Sequence, residues 1–282
     1  MANRFQTIMQ AVTALPDKQA CALVCPDGPS LEAAREAERL GLIDLLLFPA
    51  QPQAQDAAAK AVQAVRRGDC QMILKGNIDT AILLKEVVNK DYGLASGRLI
   101  SHVALLDLPS YHKMILLTDG GMVMYPDLDQ LRGILENALP VMHKLGLSLP
   151  KVACLAAVEK AHERMPETMR ALALKTMNQR GDLTGCLLEG PISFDLAFSR
   201  EAAKIKAYDS PVAGDADIFL VPDFVSGNLL AKSLVYGGGA SFAGFLMGAR
   251  SPVILTSRSA SIEEKIHSIA CGALMSEQEK EF

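Results

Sequence analysis

No run of apolar residues is long enough to cross a bilayer, and the opening MANRFQTIMQ lacks the long apolar core of a secretory signal. A membrane-spanning helix is thereby excluded, and a cytoplasmic protein with no membrane partner is expected. A basic stripe is also missing. The 28 Lys and Arg residues are scattered and outnumbered by 32 Asp and Glu, giving a net charge of −4 and a pI near 5.8, so nucleic acid is not an expected partner. Six cysteines, at 21, 25, 70, 154, 186 and 271, show no C-x-x-C and no paired metal-ligand spacing. They sit in apolar stretches such as ACALVC and KVACLAA, as reduced and buried thiols do. The five histidines, at 102, 112, 143, 162 and 267, form no H-E-x-x-H, so no zinc site is expected. A G-x-x-x-x-G-K-S/T loop is absent, which excludes a P-loop NTPase. In YGGGASFAG, Phe242 stands at the third glycine position of G-x-G-x-x-G and no strand is expected ahead of it, so Gly237, Gly238, Gly239 and Gly244 are read as helix-packing glycines.

What remains is a core-forming composition. Half of the 282 residues are hydrophobic and 21% are charged, which argues against extensive disorder. The length admits one large or two modest domains, and two are preferred. Short β-rich runs alternate with segments of helical spacing, the pattern of βα units around mainly parallel sheets. The strand candidates are ACALVC, LIDLLLF, CQMIL, VALLDL, KMILLT, KVACLAA, TGCLLE, DIFLVP and PVILT. Helices are expected over 30–40, 56–67, 79–89, 127–145, 166–179, 227–234 and 261–273. Only PSYH separates VALLDL from KMILLT, which predicts a hairpin, and LGLSLP at 145–150 is the most plausible break between domains.

Ligands of open α/β sheets bind beyond the carboxyl ends of strands. Small, hydroxyl-bearing loops recur there: Lys75-Gly76-Asn77, Thr118-Asp119-Gly120-Gly121, Gly190-Pro191-Ile192-Ser193 and Thr256-Ser257-Arg258-Ser259. Any one of these is an ordinary turn on its own. Their number favours a phosphate-handling cleft, because small residues let backbone amides approach an anion. Asp215, Asp217 and Asp223 are carboxylates that a divalent cation could gather, but such residues are also common turn formers, and no metal is expected.

The segments EGPISFDLAFS, SPVAGDADIFLVPDFVSGNLLAKSLVY and ILTSRSASIEEK resemble those of the phosphate acetyl- and butyryltransferases, with VEKAHERMPET and KGNIDTAILLKEV extending the likeness. It runs from about Gln71 to Ala273, and the first 70 residues fit only loosely. GLASGRLISHVALLD and KGNIDT look more like the butyryl branch. Where acetyl members carry a GNAN type of sequence, this chain has Gly214-Asp215-Ala216-Asp217. The resemblance implies two α/β domains with an interdomain cleft, of isocitrate and isopropylmalate dehydrogenase architecture, over 1–129 with 248–282 and over 130–247. It also implies a homodimer, and a reaction of acyl-coenzyme A with phosphate that needs no cofactor, coenzyme A and phosphate being substrates. The rival classes are a metal- and nicotinamide-dependent oxidoreductase of the related fold and a non-catalytic regulatory relative.

Ser257 and Arg258 match the family's Ser-Arg pair. A guanidinium fork suits phosphate, and a hydroxyl suits a developing oxyanion or leaving thiolate. Glu264 stands where acetyl members place a basic Asp. It also completes an S-x-x-E capping box with Ser261, so base and cap both remain open. Lys75, Thr118, Asp119, Gly120, Gly190, Pro191 and Asn228 are candidates for lining the cleft, and Arg98 and His102 for contacting coenzyme A phosphates.

Overall fold

A computed structural model describes residues 4–277. The first half runs α1 (Arg4–Thr13), β1 (Gln19–Val24), α2 (Gly28–Arg39), β2 (Ile43–Phe48), α3 (Ala54–Arg67), β3 (Met72–Lys75), α4 (Thr80–Val87), β4 (Ser101–Asp107), β5 (Ile115–Thr118) and α5 (Leu128–Lys144). There follow β6 (Lys151–Leu155), α6 (Pro166–Arg180), β7 (Leu187–Ile192), α7 (Phe194–Phe198), α8 (Arg200–Ile205), β8 (Ile218–Leu220), α9 (Phe224–Lys232), a π-helical turn at Ser233–Gly237, β9 (Ser241–Met247), β10 (Val253–Ile254) and α10 (Ile262–Ser276). No helix among the described residues is long and apolar enough to cross a membrane.

The chain forms two compact units, one made of residues up to Ile100 together with those from Phe242 onward, the other of Ser101–Ser241. The first unit's strands lie in the order β2-β1-β3-β10-β9. The first four are parallel, with Ala22 opposite Ile73 and Ile254 opposite Leu74, and β9 is antiparallel to β10. Fully buried Leu23, Ile73, Val253 and Ile254 fill its centre. Burying each such side chain contributes about 1.5–3 kcal/mol. Helix α10 packs against β3, β10, α1 and α2 and is buried along most of its length.

The second unit orders its strands β4-β5-β8-β6-β7. The expected hairpin is present as the antiparallel pair β4 and β5, and the remaining pairings are parallel. Strand β5 aligns with β8, Leu117 opposite Phe219, and this pairing carries residues 101–118 into the second unit's sheet. The LGLSLP segment follows α5 inside this unit, where Gly146 ends the helix at φ +90°.

Helix starts follow from local chemistry. Asp27 with Ser30, Asp127 with Gln130 and Ser261 with Glu264 each form a capping box, worth about 1 kcal/mol apiece. The structure corrects one reading: the glycine-containing stretch at 241–247 is strand β9, and Gly244 N donates to Ser268 Oγ of α10 at 3.0 Å. Helices α1, α7 and α8 were not expected, the last two because five or six residues are too few to show a helical period.

Candidate active site

In the first unit three adjacent parallel strands end at the same edge, so residues far apart in sequence meet there. Asp27 follows β1, Lys75 closes β3, and Thr256-Ser257-Arg258-Ser259 follows β10. Ser257 and Arg258 are exposed and Lys75 is half-buried. Burial lowers the Lys75 pKa first, the nearby Arg258 guanidinium lowers it further, and Asp27 and Asp79 partly offset both. Lys75 and Arg258 are therefore electrostatic neighbours of the same sign. Neither is ion-paired among the described residues.

The segment after β10 is a tight turn, closed by Ala260 N donating to Ser257 O at 3.1 Å. Ser257 Oγ lies 2.9 Å from Ser259 Oγ, and Ser259 N donates to Ser257 Oγ at 3.3 Å. Glu264 acts as a cap: its Oε2 accepts from Ser261 N at 2.8 Å, while Ser261 Oγ accepts from Glu264 N at 3.1 Å.

One functional candidate escaped sequence reasoning. Lys265 is only 5% exposed, and its Nζ donates to Ser257 O at 3.3 Å and Ala260 O at 2.8 Å. Burial lowers its pKa most, Asp27 and Glu264 oppose that shift, and Lys75 adds to it. The available signal was its position. Lys265 shares a helix face with Ile269, Gly272 and Ala273, where an ammonium is out of place unless something receives it. Asp27 is the group's counter-charge. Burial raises its pKa, but Ser30's hydroxyl and amide and then the Lys265 charge outweigh that, leaving it low.

Arg98 lies on a separate loop of this unit, beyond Ser96, whose Oγ donates to Gly248 O. The loop is also held where Arg250 N donates to Leu94 O at 2.8 Å.

In the second unit Thr118, Asp119, Gly120 and Asn228, four of the residues expected to line a cleft, belong to one hydrogen-bonded knot. Asp119 is 2% exposed, and its carboxylate accepts from the amides of His102 (3.0 Å), Gly121 (2.7 Å), Met122 (2.8 Å) and Val123 (3.3 Å). Four donors leave that carboxylate little capacity for a ligand. Thr118 Oγ1 donates to His102 O at 2.8 Å, and Asn228 Nδ2 to Gly120 O at 3.2 Å. Gly120 meets Gly227 so closely that a Cβ on it would lie 2.8 Å from the Gly227 carbonyl carbon. Burial pulls the His102 pKa down, against the Asp119 charge, which favours the neutral imidazole, and its Nδ1 is buried without a partner.

Gly190 and Pro191 are buried inside β7 and joined by a cis peptide bond. A Cβ at Gly190 would stand 2.6 Å from Cys154 Cβ, so this glycine permits close packing of β6 and β7. The polar group at the end of β7 is Ser193, which donates to Glu159 Oε1 at 2.5 Å, with Lys206 3.3 Å from the same oxygen.

Asp215 and Asp217 are occupied by the protein's own cations, and Asp223 lies apart as the cap of α9. Asp215 pairs with Lys151 (2.5 Å), His112 (2.7 Å), Arg200 (3.1 Å) and Lys113 (3.2 Å), and Asp217 with Lys113 (2.6 Å). All six cysteines are buried and free.

The sequence model of a family described as "Phosphate acetyl/butaryl transferase" matches residues 26–273, so the likeness begins well before Gln71. The phosphate butyryltransferase of Clostridium acetobutylicum is 36% identical over 98% of this chain and 99% of its own. A phosphate acetyltransferase of Rhizobium meliloti is 39% identical over 88% of this chain and 85% of its own. Among solved structures, a branched-chain phosphotransacylase from Enterococcus faecalis V583 aligns with TM-score 0.83 at 33% identity, over 93% of this chain and all of that one. A 4-hydroxythreonine-4-phosphate dehydrogenase from Klebsiella pneumoniae shares the fold at TM-score 0.56 and 12% identity, over 93% of this chain and all of that one. With the family matched over most of its length, and with relatives of both kinds covering 88% of it or more, the chain belongs to the phosphate acetyl/butyryl transferase family and is a phosphate acyltransferase.

Proposed function

We propose that this enzyme moves a short-chain acyl group reversibly between coenzyme A and inorganic phosphate, with butyryl as the preferred group and acetyl as the second reading. The observation that carries the reading is the cation-rich turn after β10, where Arg258 has no protein counter-ion among the described residues and sits beside a half-buried Lys75. Like charges held together with no carboxylate in ion-pair contact suit an anionic substrate.

In the phosphate-to-acyl direction, a phosphate oxygen attacks the thioester carbonyl carbon, the carbonyl oxygen gains charge, the C–S bond breaks, and the thiolate leaves to take up a proton. Arg258 holds and orients the phosphate through its planar fork, and Lys75 adds charge to the same spot. The Ser257 hydroxyl donates to the oxyanion or to the departing sulfur. In reverse, coenzyme A must lose its thiol proton, and Glu264 is the carboxylate at hand once it is released from the Ser261 amide. The butyryl preference rests on GLASGRLISHVALLD and KGNIDT.

The test is thiol release from acetyl-, propionyl-, butyryl- and branched acyl-coenzyme A, with and without phosphate. Release that depends on phosphate and peaks at the butyryl compound is expected. A peak at acetyl transfers the enzyme to the second reading, and release without phosphate removes both.

A further inference from the structure

Among the charged groups at the carboxyl edge of the first unit's sheet, Lys265 has no part in the chemistry above. Its ammonium is buried and directed at backbone oxygen. The two carbonyls it reaches, Ser257 O at 3.3 Å and Ala260 O at 2.8 Å, are the first and last of the four-residue turn whose middle positions are Arg258 and Ser259. Ser257 O also takes the Ala260 amide, so that single oxygen is held by two donors. The other end of Lys265 is fixed in α10, which is buried on the same face against β3 and β10.

We infer that Lys265 is a positioning residue, a charged tether that clamps both ends of the Ser257–Ala260 turn to α10 and thereby sets the direction in which Ser257 and Arg258 leave it. Burying an ammonium is costly unless it is well paired, and here a second cation, Lys75, stands close by. A side chain that merely filled space would avoid that cost. What offsets it is the pair of carbonyls with the charges of Asp27 and Glu264. The remaining polar neighbours, Ser261 at the helix start and Ser268 one turn on, hydrogen-bond to Glu264 and do not compete for the ammonium.

The inference rests on the reading of Ser257 and Arg258 as groups that meet substrate, and the experiment separates the two. Lys265→Met, Lys265→Arg, Arg258→Gln and the double variant Lys265→Met/Arg258→Gln are assayed as full chains for phosphate-dependent thiol release, alongside thermal melting. Lys265→Met is expected to melt cooperatively and to lose about 30-fold in kcat/KM, within the range that misplacing a positioned group produces. Lys265→Arg, which keeps charge and donors, is expected to recover most of that loss. In the Arg258→Gln background, Lys265→Met is expected to cost no more than about threefold further, because coupled residues are not additive. Near-normal kinetics in Lys265→Met, an arginine no better than methionine, the full loss repeated in the double variant, or an unfolded Lys265→Met each overturns the tether. Near-normal kinetics in Arg258→Gln instead sinks the assignment of Arg258 itself, and the tether with it.

Discussion

Each unit holds one dense cluster of charge, and the two are built on opposite principles. Around Asp215 in the second unit, Lys113, Lys151, Arg200 and His112 converge on a carboxylate, with Asp217 also pairing with Lys113. Around the turn after β10 in the first unit, Lys75, Arg258 and Lys265 gather with no ion pair among the described residues. The nearest compensation there is longer-range, from Asp27, Asp79 and Glu264. Opposite charges in contact lower the energy of the fold. Like charges in proximity raise it and are tolerated where a ligand supplies the missing sign. The first cluster is a structural joint, the second the anion site proposed above.

That contrast breaks first at Arg258. Arg258→Gln is expected to lower phosphate-dependent turnover by about 10²–10³-fold, the scale seen when one donor to a developing charge is removed. The melting temperature should hold or rise, because a like charge beside Lys75 has gone. A melting temperature that falls steeply would show that the guanidinium holds the fold together.

Asp215→Asn should do the reverse. Loss of the carboxylate strands several cations and should cost about 2 kcal/mol, less than a fully buried pair because Asp215 keeps some contact with water. Urea titration measures the loss, and activity per folded molecule should change little. The pH signs also differ between the clusters. Burial raises the Asp215 pKa, but hydrogen bonds from Lys151, His112 and Lys113 and the Lys113 charge outweigh it, and the group lies well below the usual carboxylate range. Its contribution is complete above about pH 4 and is lost as pH falls toward the folded-state value. Wild type should therefore lose more stability than Asp215→Asn between neutral and acid pH. Lys75 and Lys265 are lowered below their unfolded value of about 10.4. Between the folded and unfolded values the unfolded chain binds more protons, so these two groups make folding more favourable as pH rises, while the site loses its positive charge.

The smallest effect belongs to Glu264. Gln can accept the Ser261 amide as Glu does, so Glu264→Gln should change stability by no more than about 0.5 kcal/mol. Any fall in turnover then measures proton transfer by the carboxylate. Unchanged turnover leaves Glu264 as a cap alone.

Much of the fold was legible because its signals are local. ACALVC, LIDLLLF, CQMIL and the PSYH hairpin declared strands through short apolar runs and turn residues, and Ser261-Ile262-Glu263-Glu264 declared a helix start through a bond reaching three residues. Strand β9 was missed because SFAGFLM follows three glycines and looked like their continuation. The sequence named the residues of the candidate site but not their partners. Ser257 and Arg258 stand on an exposed turn, while the polar atoms of Thr118 and Asp119 are hydrogen-bonded within the chain and Gly190 packs closely on Cys154. A turn-forming Asp and a ligand-binding Asp look the same until their hydrogen-bond partners are known.

By itself the sequence determined most of the strands and helices and their order, the cap that starts the last helix, and the motifs that carry the family. Each of these depends on residues a few positions apart, where backbone geometry leaves little choice. The tertiary structure alone decided which polar groups are already satisfied and which cations stand together. The parallel neighbours β1, β3 and β10 bring Asp27, Lys75 and Lys265 to one edge. Burial and charge pairing depend on that adjacency, and no spacing along the chain encodes it.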